Sequence, residues 1–276
     1  MTILQDYFDN KLVEAGFPSG LKIEYSLSHC QGDGMAFYGD LALDDLVRLF
    51  NKMNTSVSDK EQRRFQFLVE YTVDNTLDAT VSIRRNHWGY HYSHYNSMSL
   101  EYPIGKYLQL SNIRSKDRPI LQNMWDTFIE QLEQYIKDTS QELEALGYQI
   151  IDSTYIEPSA TKEEFNTKNY RIEFKIEPIQ FYANWCAEEF GYEDVNELCN
   201  AAMNGKKFVD LTVIIYQKEL GIKMSESSLG YCSYGDRDKS YAGNKRYLIH
   251  EAIREARSFA QLASKAAQHL RPITIN

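Results

Sequence analysis

The residue types able to do chemistry gather in two short stretches. The first, Tyr25 to Gly39, reads YSLSHCQGDGMAFYG and places an imidazole (His29), a thiol (Cys30), an amide (Gln31) and a carboxylate (Asp33) almost side by side. The second reads Asn86-His87-Trp88-Gly89-Tyr90-His91-Tyr92-Ser93-His94-Tyr95 and holds three of the six histidines in the chain. Imidazole, thiolate and carboxylate are the usual transition-metal ligands, so His87, His91 and His94 with Cys30 or Asp33 have the types for a zinc site. Their spacing does not help. On a strand His87 and His91 share one face and His94 opposes them, and the intervening Tyr, Gly and Ser do not favour a helix that would align all three. The reading kept is a hairpin loop whose histidines and tyrosines satisfy one another and the backbone, with no metal and no cofactor.

Two other chemistries are weighed on the same residues. A phosphate pocket could use the bare amides of Gly32 and Gly34, the charges of Arg84, Arg85 and His91, and the rings of Tyr90, Tyr92 and Tyr95 for stacking a base. The chain has no GxxxxGK[ST], however, and QGDG is not GxGxxG. Nucleophilic catalysis has less support: His29 and Cys30 are neighbours, and neighbours on a strand point to opposite faces. There is no GxSxG elbow and no HExxH. Asp44 and Asp45, near Asp33 and Asp40 in sequence, are first-turn helix residues before they are an acid/base pair. An enzyme is the lesser reading.

The elements that must position these groups follow from periodicity. Leu21, Ile23, Tyr25 and Leu27 alternate with Lys22, Glu24, Ser26 and Ser28, a strand with one buried face. Asp33-Gly34 suits a tight turn because both tolerate positive φ, and Met35 to Gly39 is extended again. Before them Ile3, Tyr7, Phe8, Leu12 and Val13 predict a helix closed near Gly16, and after them Leu43, Leu46, Leu49 and Phe50 predict another. Glu61 to Tyr71 reads as helix running into strand. Strands over 79–85 and 98–102 flank the histidine segment. A long helix runs from about Pro119, with Trp125, Phe128, Leu132 and Ile136 on one stripe, to Gly147, which ends it; Tyr148 to Ile156 then reads as a strand.

Residues 158–169 are rich in Lys, Glu, Thr and Asn and predict a linker. Beyond it come a strand over 170–176, helices over 181–190 and 195–203, strands over 208–216 and 223–231, and a closing helix from about Lys245 to Leu270. Its narrow seam is Ile249, Ile253, Ala256, Ala260, Ala263, Ala267 and Leu270. The expected architecture is α+β, with antiparallel sheets covered by helices in two subdomains, 1–157 and 170–276. Within the second, SLGYC at Ser228 to Cys232 echoes SLSHC at Ser26 to Cys30. So short a match is more economically chance than a duplicated strand-turn unit.

Composition narrows the function classes. At 276 residues with 43% hydrophobic content the chain can bury two ordinary cores. A net charge of -9, from 39 acids against 30 bases, argues against general nucleic-acid or anionic-membrane binding. Four scattered cysteines without a CxxC pair suit a reducing compartment, and neither a secretory signal nor an apolar run of about 18 residues is present. A cytoplasmic protein is expected. A homodimer through the last helix is an ordinary outcome.

The pairing of YSLSHCQGDGMAF with HYSHYNSM resembles a group of accessory proteins of tailed bacteriophages, which share a CQGDG or SQGDG turn and a later YxHxxS segment. The second half is similar to them through DLTVIIYQKELGIKMSESSLGYC ahead of a terminal helix. The resemblance implies a phage or prophage origin and a binding protein that inhibits a host defence factor, such as a CRISPR, restriction or other nuclease-based system. Its partner would be a host protein, met in the host cytosol. Rigid aromatics and adaptable polar groups suit recognition, which places the contacts at His29, Gln31, Asp33, Arg85, Tyr90, His91, Tyr92, His94 and Tyr95. The alternative at the same place is a sponge or hydrolase for a nucleotide signal.

Overall fold

The computed structural model describes residues 2–74, 81–86, 92–102, 113–156, 162–179, 181, 187–235, 238 and 240–269. The fold is α+β. Its elements in order are α1 (Ile3–Glu14), β1 (Lys22–Ser26), β2 (Gly34–Leu41), α2 (Leu43–Met53), α3 (Asp59–Asp74), β3 (Val81–Arg85), β4 (Met98–Glu101), α4 (Arg118–Thr154), β5 (Lys162–Asn166), β6 (Tyr170–Pro178), α5 (Val195–Met203), β7 (Lys207–Gln217), β8 (Lys223–Tyr234) and α6 (Ser240–His269). They form two four-stranded antiparallel sheets, β1-β2-β3-β4 and β5-β6-β7-β8. The chain divides into two compact units between Gln149 and Ile150, inside α4.

In the first unit the helix starts are set by local chemistry. The Thr2 hydroxyl accepts from Gln5 N at α1, and Ser58 and Glu61 bond each other at the start of α3, a capping arrangement that satisfies orphan amides. That start, with Phe65, Leu68 and Val69 buried and Phe67 50% exposed, decides the ambiguous 61–71 segment as helix throughout. Phe50, Phe65 and Phe128 then join α2, α3 and α4, the first two rings stacked at 4.0 Å and the last two 4.6 Å apart. Leu121, Trp125, Phe128, Ile129, Leu132, Ile136 and Leu143 form the buried stripe of α4 that their spacing predicts.

The sequence reading fails at Gly147. The helix does not end there and no strand follows, because α4 continues to Thr154. A Cβ at Gly147 would lie 2.5 Å from Leu27 Cδ1 and 2.9 Å from Phe8 Cζ, so the glycine lets α4 press against those side chains. The helix ends where the Lys207 ammonium donates to Ser153 O at 2.6 Å and Tyr155 O at 3.1 Å, filling carbonyls left open by the last turn.

In the second unit the predicted linker is corrected in part. Residues 158–161 lie outside the described residues, but Lys162–Asn166 is strand β5, paired from Lys162↔Lys175 to Asn166↔Arg171. Every β5 side chain is exposed, which is why no apolar alternation marks it. Phe174 and Ile176 of β6 and Val209, Leu211, Val213 and Ile215 of β7 turn one face to Leu248, Ala252 and Ala256 of α6. Near the β7 start, Phe208 meets Phe181 and Phe190, each at 5.5 Å, and Tyr192 at 6.0 Å. Of the helix expected over 181–190, only the 3-10 turn Ala187–Phe190 is found among the described residues.

Once α1 is set aside, both units run in the same order among the described residues: antiparallel strand pair, two helical segments, antiparallel strand pair, long helix. The SLSHC/SLGYC echo does not correspond within that order, since one copy leaves the first strand of its sheet and the other lies in the last. The copies do share a backbone feature. His29 at φ 57° and Tyr231 at φ 55°, which align in the echo, are the non-glycine residues with left-handed φ among those described.

Two substitutions separate packing from propensity. A helical Gly→Ala change ordinarily stabilises by about 0.5–1 kcal/mol. Gly147→Ala is expected to reverse that sign and cost about 1–3 kcal/mol through overpacking. Gly243→Ala in α6, where a Cβ meets nothing within 4 Å, should show the ordinary gain. Urea denaturation of each variant reads both signs.

Candidate functional site

The loop between β1 and β2 is built on one carboxylate. Asp33 Oδ1 accepts from Ser26 Oγ at 2.8 Å and Ser28 Oγ at 3.1 Å; Oδ2 accepts from Ser28 N at 2.7 Å, Cys30 N at 2.8 Å and Tyr148 OH at 2.9 Å. Burial pushes the Asp33 pKa upward, but the bonds from Cys30, Ser26, Tyr148 and Ser28 outweigh it and hold the group well below the usual carboxylate range. The Tyr148 phenol is pushed up, first by burial and then by its bond to Asp33 and that charge, so it stays a donor. Asp33 is thus the organiser of the turn, with no lone pair left over for a proton from a substrate.

The left-handed positions differ from the sequence expectation. His29 and Gly32, at φ 57° and 95°, take positive φ, whereas Gly34 opens β2 in the ladder opposite Ser26. The two glycines instead form a seat. A Cβ on Gly32 would come within 2.9 Å of the Tyr92 ring, and one on Gly34 within 2.6 Å of Ser93 O. The two chemically rich stretches therefore meet in the fold as Gly32–Gly34 against Tyr92–His94.

Of the expected contact residues, His29 and Gln31 are exposed on the loop, and the His29 ring lies 4.6 Å from that of Tyr148. Tyr92 is 62% exposed beside them. Arg85 is committed to structure: its Nη1 bonds Glu24 Oε2 at 2.7 Å, and Ser93 Oγ reaches the same oxygen at 3.0 Å. The Lys22 hydrogen bond lowers the Glu24 pKa against desolvation, helped by Ser93 and the Arg85 charge. His94 Nδ1 accepts from Asn96 N at 3.2 Å and caps the 3-10 turn Tyr95–Ser97, with the Tyr95 ring 4.0 Å away. Tyr90 and His91, like His87, lie outside the described residues.

Glu24, Glu144 and Tyr148 belong to this neighbourhood and were not singled out from sequence. Glu24 carried a signal, its place on the polar face of β1. Tyr148 and Glu144 carry none: the sequence predicts that α4 stops short of Tyr148, and Glu144 falls among the other polar positions of that helix. Burial, reinforced by Asp33 and opposed by His94, raises the Glu144 pKa.

Among the described residues no group of three His, Cys, Asp or Glu side chains is placed to hold a metal ion. Cys30 is exposed and its thiol points to Ser28 O at 3.5 Å, while burial pushes Cys199 up to about 12. Comparison of the chain with protein-family models, with curated proteins and with solved structures gives no match. Among the described residues no helix is long and apolar enough to cross a membrane.

Asp33→Asn places an amide where five donors converge, and a loss of about 1–3 kcal/mol is expected after solvent screening of this partly exposed site. The sign of the pH dependence follows from the lowered pKa. The Asp33 contribution is complete above the unfolded value near pH 4 and is lost as pH falls through the folded value. Urea midpoints of the two proteins should therefore differ most at neutral pH and converge as acid is added from about pH 4 downward.

Proposed function

We propose that the chain is a phage- or prophage-encoded binding protein that inhibits a host defence factor, of the nuclease-based kind, by covering part of its surface. The observation that carries this reading is the saturated Asp33. A carboxylate filled by five internal donors cannot serve as a general base, but it fixes the loop that presents His29 and Gln31, against which the Tyr92 ring packs at Gly32. Fixed side chains lose little entropy on docking, which is where much of the cost of association lies. The acidic balance of the chain supports a partner with basic surface, the kind of surface a nuclease offers to nucleic acid.

The test compares tagged wild-type protein with the His29→Ala/Gln31→Ala/Tyr92→Ala variant in capture from host lysate, with mass spectrometry of bound proteins and small molecules. Recovery of a nuclease-system component that drops at least tenfold with the variant is the expected result. Equal capture by both proteins, or recovery of a nucleotide instead of a protein, would overturn it.

A further inference from the structure

Helix α6 outruns the sheet it covers. Leu248, Ala252 and Ala256 are buried against the sheet, chiefly over β7 and β8, yet every side chain from Gln261 to Gln268 is exposed. The apolar pattern does not stop with the sheet. Phe259, Leu262, Ala263 and Ala266 continue it at helical spacing, with Phe259 46% and Leu262 66% exposed. Beside this overhang lies an open-sided cavity of about 410 Å³ between α6 and the sheet, lined by Tyr170, Ile172, Ile215, Ile253 and Ala260. That volume is in the range of true binding clefts.

Charge decides what fits. From Ala256 to His269 the helix carries Arg257 and Lys265 and no acid, in a chain whose net charge is -9. Arg257 itself lines the cavity. Lys218, which does not itself line the cavity, donates its ammonium to the carbonyl of Thr167, another lining residue, at 2.7 Å. An apolar slot with a basic border disfavours a second copy of α6, which would set Arg257 and Lys265 against their own counterparts.

We propose that this groove docks an acidic amphipathic segment of a partner protein. Apolar side chains three and four residues apart on that segment enter the cavity beside Ile253 and Ala260, and its carboxylates meet Arg257, Lys265 and Lys218. This is helix-in-groove recognition, with area supplied by apolar anchors and orientation by the charged border. The site is separate from the Asp33 loop and does not depend on the reading given to that loop.

The experiment is selection of a random 16-residue peptide library on the purified full chain, followed by affinity measurement of enriched peptides at low and high salt. Enriched sequences should be net acidic with apolar residues at three- and four-residue spacing, and should bind more weakly as salt rises. Ala260→Trp, which fills the cavity, should abolish binding. Arg257→Glu, at an exposed position that leaves the fold intact, should weaken it at least about fivefold. The His29→Ala/Gln31→Ala/Tyr92→Ala variant should bind the peptides as wild type does, so this proposal and the one for the loop fail separately. No enrichment, enriched peptides without acidic residues, or equal binding to Ala260→Trp and Arg257→Glu would each sink it. So would a wild-type dimer in sedimentation that Ala260→Trp dissociates, which would give the groove to a second copy.

Discussion

The first unit depends on how one partly exposed carboxylate is satisfied. Asp33 draws donors from the end of β1 (Ser26), from the loop (Ser28 and Cys30) and from α4 (Tyr148). Three elements are thereby tied at one point. With the loop so held, His29 tolerates a left-handed backbone, and the bare backbone at Gly32 and Gly34 lets Tyr92–His94 lie against them. The constraint reaches further along α4, where Gly147 is bare against Leu27 and Phe8 so that Tyr148 stands at hydrogen-bonding distance from the loop.

The second unit solves a related local problem with less. Asp210 sits at the irregularity in the β7–β8 ladder, and its Oδ1 accepts from Tyr231 N at 3.0 Å, beneath the other left-handed residue. A strained φ at a non-glycine residue costs of order 1–3 kcal/mol unless its surroundings hold it. Here, as at His29, an aspartate bonded to the backbone amides of the bend does that holding. Apart from this the unit is a sheet and a helix joined by alternate apolar side chains, and its distinctive surface arises where the helix is longer than the sheet.

These arrangements bear on function in the same direction. Catalysis by acid and base needs groups poised to change protonation near the working pH. In the loop the carboxylate is driven down, the phenol is driven up, and Arg85 and His94 are spent on Glu24 and Asn96. Each unit presents a surface feature: in the first, the exposed His29 and Gln31 beside the Tyr92 ring, and in the second, an apolar groove lined in part by Arg257.

What the sequence determined by itself was the clearest of the short periods. The stripe of α4, the alternation along β1 and the small-residue seam of α6 are patterns of 3.6 and 2, visible within a dozen residues because each face is either buried or wet. The α+β class follows from them, and so does the crowding of chemical groups at 25–39 and 86–95. The tertiary structure alone decided what those groups do. Tyr148 reaches Asp33 across 115 positions, and nothing local to either marks the other. Gly147 is equally a helix stop or a close contact until Leu27 and Phe8 are known to be there. Strand β5 exposes every side chain, so only the hydrogen bonds of its partner β6 make it a strand. Periodicity is stored in neighbouring residues, whereas the choice of partner is made by the packing of distant ones.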